Sequence, residues 1–279
     1  MILSTDSTAN LPKEMYKQLN ISMVPMKIIL DGNTYDDLSE SLPIEEYYGK
    51  MREGKIPSTA QINEFDAKEY FEKLLERKQD VLHIGFSTAL SGSTNTLKHV
   101  AEELNATHQN KIVVVDSLNA SCGEGMLVLY AKELIEQGKS IDEVAEMVKE
   151  KIPHSKSYFT VEQLKYLVKG GRVGKFSGII GTILNVKPVL TVDPQGRLVS
   201  YKKIISRKKS IAEMVEIVAS QIAQDSKVMV AHAMCLADAK DFAEKVKAKV
   251  GVEPLITDLT QVIGCHTGPG LLAVFFFHK

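Results

Sequence analysis

The stretch from Val81 to Ser117, VLHIGFSTALSGSTNTLKHVAEELNATHQNKIVVVDS, decides the fold class of this chain. Val81-Leu82-His83-Ile84 is an apolar run of strand length, Gly92 to Leu104 carries apolar residues at helical spacing, and Lys111 to Val115 is a second, β-branched run. A strand, a helix of about a dozen residues and another strand make a βαβ unit, whose strands lie parallel. The same alternation continues outward. Ile2-Leu3 and Met23 to Leu30 read as extended segments, Asp66 to Arg77 as an amphipathic helix with Tyr70, Phe71, Leu74 and Leu75 at helical spacing, and Cys122 to Glu136 as a further helix.

The rhythm changes after Pro153. Ser157 to Val161 reads as a strand and Glu162 to Lys169 as a short helix that Gly170-Gly171 ends. Val186 to Val192 and Leu198 to Ile205 flank Asp193-Pro194-Gln195-Gly196, a tight-turn composition that predicts an antiparallel hairpin. Helices at Met214 to Ile222 and Ala237 to Val250 and strands at Val228 to Ala231 and Leu271 to Phe277 complete the pattern. At 279 residues the chain is long for one core. The expectation is an α/β protein of two domains: residues 1–153, a Rossmann-like, mostly parallel sheet with helices, and residues 154–279, an α+β unit with a mixed or antiparallel sheet.

Composition narrows the partners. The net charge of -1 points away from a nucleic-acid surface, and no apolar run approaches the roughly 20 residues that cross a bilayer. The start, MILSTDSTANLP, has no signal-peptide pattern, and Cys122, Cys235 and Cys265 show no metal or redox spacing, so a cytoplasmic location is expected.

Ser, Thr and Gly gather just after the predicted strands, at Ser4 to Thr8, at Gly85 to Thr94 and at Asp116-Ser117. In parallel α/β sheets that edge binds ligands, and Ser91-Gly92-Ser93 opens a helix whose free N–H groups suit an anion. Any one of these residues also reads as a helix cap. Gly85-Phe86-Ser87-Thr88-Ala89 approaches a nucleophile elbow but lacks its closing glycine. A serine hydrolase using Ser87 or Ser93 with His266, and Asp193 or Asp258 as the acid, is the alternative reading. Gly170 to Lys175 fails as a P-loop, since Lys169 stands at the first glycine and Phe176 at the Ser/Thr position. Gly264-Cys265-His266-Thr267-Gly268-Pro269-Gly270 reads as an ordered loop presenting one imidazole, and no histidine has metal-ligand spacing.

Seven elements in order resemble the DegV family: Asp6 to Pro12, Pro57-Ser58-Thr59-Ala60-Gln61, Leu90-Ser91-Gly92-Ser93, Asp116-Ser117 with Gly123 and Gly125, Gly170-Gly171-Arg172-Val173, Lys187-Pro188-Val189-Leu190, and Gly264 to Gly270. The resemblance implies a binding protein without catalytic residues, cofactor or metal of its own. It would hold a long-chain fatty acid between two domains and present the carboxylate to a partner acyl kinase. Carried over, the carboxylate would meet Thr59, Ser93 and His266, with Gly92 and Ser91 alongside; Ser58 and Thr59 both stand as candidates for the hydroxyl of their loop. Arg172 would lie near the headgroup or face the partner, as would Arg207 in the basic stretch Lys203 to Lys209, where Ile205 replaces an arginine often found in the family. Apolar residues expected along the acyl chain are Ile179, Ile180, Ile183, Leu184 and Leu272, with Leu271, Phe275 and Phe277 beside the last.

Overall fold

The protein is described by a computed structural model covering residues 1–172 and 186–279. The βαβ signal around Val81 builds a four-stranded parallel sheet in the order β2-β1-β6-β7, from β1 (Ile2–Asp6), β2 (Ile21–Val24), β6 (Val81–Gly85) and β7 (Ile112–Asp116). Pro25 divides the segment expected to run from Met23 to Leu30. Proline supplies no N–H to a ladder, so the chain leaves β2 there. It re-enters a separate antiparallel sheet made of β3 (Lys27–Leu30), β4 (Asn33–Asp36) and β5 (Ser58–Ala60), with β3 in the middle.

The second large sheet has six strands in the order β10-β9-β8-β13-β11-β12. They are β8 (Ser155–Thr160), β9 (Val189–Val192), β10 (Leu198–Lys202), β11 (Val228–His232), β12 (Leu255–Asp258) and β13 (Leu272–Phe277). The predicted hairpin is β9 and β10, antiparallel across the Asp193–Arg197 turn. In this sheet β11 and β12 run parallel, while β13 lies antiparallel to β8 and β11. The parallel sheet ends at Asp116 and the mixed sheet begins at Ser155, just past a 3-10 turn at Ile152–His154.

The helices among the described residues are α1 (Lys13–Gln18), α2 (Ile44–Arg52), α3 (Glu64–Leu75), α4 (Ser93–Asn105), α5 (Cys122–Glu136), α6 (Ile141–Lys151), α7 (Lys165–Lys169), α8 (Arg207–Gln221), α9 (Leu236–Val250) and α10 (Gln261–Thr267). Two differ from expectation. The Gly264–Gly270 segment is a loop only after Thr267; His266 rides on the last turn of α10. Helix α8 begins at Arg207 rather than Met214, because Ser210 and Ile211 extend its buried stripe through Met214, Val215 and Val218.

Helix α5 packs on β1 and β6 on one side and on β8, β11 and β13 on the other, so it lies between the two sheets. Its residues Cys122 to Val128 are all buried. One apolar core therefore runs from the parallel sheet through α5 to the inner face of the mixed sheet. A second core lies under α8 and α9 on the outer face, where Tyr158, Leu272, Val274 and Phe276 point.

Candidate functional site

Between the loops after β5 and β6, helix α10 and the inner face of the mixed sheet lies a cavity of about 320 Å³. Its apolar walls come from Phe86 and Leu90, from Phe159, Leu198 and Phe275, and from Val262 and Leu271. Thr59, Gln61, Ser91, Gly92, Arg172 and His266 supply polar groups to its lining.

Strand parity decides which hydroxyl of the Pro57–Gln61 loop faces inward. Ser58 and Thr59 are neighbours in β5 and point to opposite faces; Ser58 is exposed and Thr59 lines the cavity. Thr59 Oγ1 lies 2.9 Å from His266 Nε2. The ring's Nδ1 is buried, without a partner among the described residues, against Gly170, where a Cβ would collide with it. Burial, and then the nearby Arg172 guanidinium, push the His266 pKa down to about 4. The imidazole is therefore neutral near pH 7, and among the described residues the fixed positive charge lining the cavity is Arg172. That guanidinium donates through Nε to the Leu90 carbonyl (3.3 Å) and through Nη1 to the Gly170 carbonyl, tying the β6–α4 loop to the end of α7.

Ser91 and Gly92 line the cavity at the start of α4, but Ser93 does not. Ser93 is fully buried; its Oγ accepts from the Ile62 N–H (3.1 Å), sits 3.0 Å from Ser91 Oγ and lies 3.6 Å from Met26 Sδ. It braces the chain leaving β5 against α4. Gln61 is a lining residue that sequence reasoning misses, although it closes the Pro57–Gln61 motif; its amide lies against Gly92, where a Cβ would meet it.

Leu272 is a correction. It belongs to the outer core, while its neighbours Leu271 and Ala273 and, two residues on, Phe275 line the cavity. A period of two along β13 allows only one parity inward. Phe277 packs edge-on against Tyr130 at 6.3 Å instead. Arg207 is absent from the lining; its Nε donates to Asp238 Oδ2 at 2.8 Å, joining the starts of α8 and α9. Ile179, Ile180, Ile183 and Leu184 lie outside the described residues.

The triad of the hydrolase reading is not assembled. Ser87 is buried and donates to the Gly196 carbonyl (2.9 Å), Ser93 is held as above, and His266 pairs with Thr59. Asp193 is engaged by Arg197, and Asp258 faces His232 at 3.5 Å. Among the described residues no group of three His, Cys, Asp or Glu side chains is placed to hold a metal ion.

Fold and site together define an α/β protein with an interior, largely apolar cavity of ligand size. More particularly, the chain belongs to the DegV family, whose model, described as "Uncharacterised protein, DegV family", matches residues 2–279. A DegV domain-containing protein of Clostridium perfringens is 37% identical over 280 residues, covering 99% of this chain and 96% of the relative. Among solved structures, a fatty-acid-binding DegV family protein from Thermus thermophilus superposes with a TM-score of 0.90 at 30% identity, covering 100% of this chain and 99% of that one. DegV of Bacillus subtilis, a fatty acid binding protein, gives 0.88 at 28% identity, with 100% and 99% covered.

Proposed function

We propose that this protein is a cytoplasmic carrier that holds a long-chain fatty acid in the cavity and presents its carboxylate to a separate ATP-dependent acyl kinase, doing no chemistry itself. The observation that carries the reading is the juxtaposition of Thr59, Ser91, Arg172 and neutral His266 in a cavity whose other walls are largely apolar. The fatty-acid binding of the Thermus thermophilus and Bacillus subtilis relatives supports it.

The chemistry is consistent. A buried carboxylate is tolerated only where several donors converge. With the ring proton on His266 Nε2, Thr59 Oγ1 accepts from the histidine and turns its own proton towards the ligand. Ser91 and Arg172 complete the set, the guanidinium supplying charge. Burying about fifteen methylenes at roughly 0.8 kcal/mol each yields about 12 kcal/mol. Association removes about 4 kcal/mol or more, which leaves affinity around the micromolar range.

Native mass spectrometry of freshly purified protein, followed by lipid extraction, tests the binding step. A stoichiometric adduct releasing a long-chain fatty acid is expected. Protein that is bare and also refuses added fatty acid would remove the proposal. The carrier role is tested separately by incubating the loaded protein with ATP alone, where no acyl phosphate should form.

A further inference from the structure

The loop after β1, Asp6-Ser7-Thr8-Ala9-Asn10, is fully buried although most of its side chains are polar, and none of these residues lines the cavity. Buried polar side chains persist where they are hydrogen-bonded. These bond the backbone of segments that wall the cavity. Asp6 Oδ2 accepts from the Phe86 N–H at 3.0 Å and Ser7 Oγ from the Met26 N–H at 3.1 Å, and Phe86 and Met26 both line the cavity.

Asn10 reaches furthest along the chain. Its Oδ1 accepts from the Thr260 N–H at 2.7 Å and its Nδ2 donates to the Asp258 carbonyl at 3.0 Å. The amide thus grips the backbone on both sides of Leu259, which lines the cavity. Asn10 has a left-handed backbone, φ 54°, which asparagine adopts more readily than most residues. Cys122 Sγ donates to the Asn10 carbonyl at 3.6 Å and lies 3.8 Å from Nδ2, which backs the side chain from the start of α5. From α2, the buried Tyr48 hydroxyl donates to the Leu259 carbonyl at 3.0 Å, and a Cβ on Gly264 of α10 would collide with it.

These bonds fix a short link. Strand β12 ends at Asp258 and α10 begins at Gln261, so Leu259-Thr260 sets the direction in which α10 departs. His266 lies about 9 Å beyond Thr260 along the helix, at 1.5 Å per residue. Its Nε2 stands 2.9 Å from Thr59 Oγ1, and a displacement of roughly 0.6 Å takes such a pair beyond hydrogen-bond range. A small tilt at the link therefore suffices to part them. Asp37 Oδ1 at the Val262 N–H (3.2 Å) and Gln261 Nε2 at the Leu42 carbonyl (2.7 Å) hold the first turn of the helix, beyond the link itself.

We propose that Asn10, with Tyr48 beside it, is a positioning residue for the headgroup end of the cavity. By holding the Asp258–Thr260 backbone it aims α10 so that His266 meets Thr59, and it touches no ligand itself. The affinity part of this proposal rests on the fatty-acid reading; the placement of the imidazole does not.

Asn10→Gly keeps the left-handed backbone and deletes the amide. Tyr48→Phe deletes a single hydroxyl and is the milder variant if Asn10→Gly does not fold. Proton NMR of lipid-free protein reads the ring directly. His266 should titrate near 4 in the wild type and move towards its ordinary value of 6.5 in either variant, as the ring leaves its buried seat. Palmitate affinity, read by displacement of a fluorescent fatty acid, should fall about tenfold in Asn10→Gly, the loss of one hydrogen bond to a charged group. In a His266→Ala background the same substitution should lower affinity by about twofold at most, because residues that act through one group are not additive. A His266 titration unmoved in the folded variants, or a full additive loss of affinity in the His266→Ala background, would overturn the proposal and leave Asn10 a scaffold residue. If the wild type binds no palmitate the carrier reading fails, and the His266 titration decides the positioning role by itself.

Discussion

Thr59 and His266 show how much a motif tells and where it stops. Their loops stand out in the sequence because they carry Ser, Thr, Gly and His in the family's order; that the two side chains meet on one cavity wall is what the structure adds. The choice between Ser58 and Thr59 was not legible, because it rests on the parity of a three-residue strand that no periodicity of that length announces. Ser93 illustrates the reverse: its type suits an anion, yet the Ile62 N–H and Ser91 claim its oxygen. If Thr59 hands its proton to a ligand carboxylate, Thr59→Val loses a charged-group hydrogen bond, about 1.5–3 kcal/mol and so roughly tenfold or more in affinity. Displacement of a fluorescent fatty acid measures this, and unchanged affinity would return Thr59 to a purely structural role. The histidine has its own signature. In lipid-free protein its ring should titrate near 4 by proton NMR, and Arg172→Leu should move that value upward, because the guanidinium adds to burial in holding it down. A His266 that titrates in the ordinary range would contradict that burial.

At the scale of elements, strands with clear apolar runs and helices with long stripes were readable, as α5 shows by spanning the predicted Cys122 to Glu136. The failures share a cause. Helix α10 is only seven residues long and ends among glycines, so its composition looks like a loop, and packing against α7, α2 and β5 makes it helical. Adjacent Leu271 and Leu272 were both expected along the acyl chain because β13 is apolar on both faces, one towards α5 and the cavity and the other towards α8 and α9. Helix α5 is buried between sheets, and its glycines reflect close approach. A Cβ on Gly125 would fall on the Ala9 carbonyl oxygen, a backbone atom of the loop after β1 that cannot swing aside. Gly125→Ala should therefore destabilise the fold by about 1–3 kcal/mol despite alanine's better helix propensity. Urea unfolding reads the sign directly: a more stable variant would show that this packing is looser than the geometry implies.

Across the whole molecule, composition and rhythm told that a parallel sheet precedes a mixed one. What they did not tell is how the two halves of the chain meet, since the groups that join them are far apart in sequence and individually ordinary. Asp37 is one such group. It follows β4, is 2% exposed, and accepts through Oδ1 from the Val262 N–H at 3.2 Å, linking the small antiparallel sheet to α10. Its second oxygen is buried without a partner among the described residues. Burial, opposed by hydrogen bonds from Ser7 and the backbone of α10, raises its pKa from 3.8 to about 7. A carboxyl whose folded pKa is raised costs stability as pH climbs, because the unfolded chain gives up its proton from about 4 upward while the folded protein keeps it. The loss grows between about 4 and 7 and is constant above. Asparagine has the shape of the protonated acid and never ionises. Asp37→Asn should therefore match the wild type at about pH 4 and become more stable by a few kcal/mol near pH 8, since each tenfold difference in proton affinity is worth about 1.4 kcal/mol. Parallel urea titrations at acidic and alkaline pH decide it. If the difference between the two proteins does not change with pH, Asp37 is ionised in the folded state and the contact with α10 is an anionic helix cap.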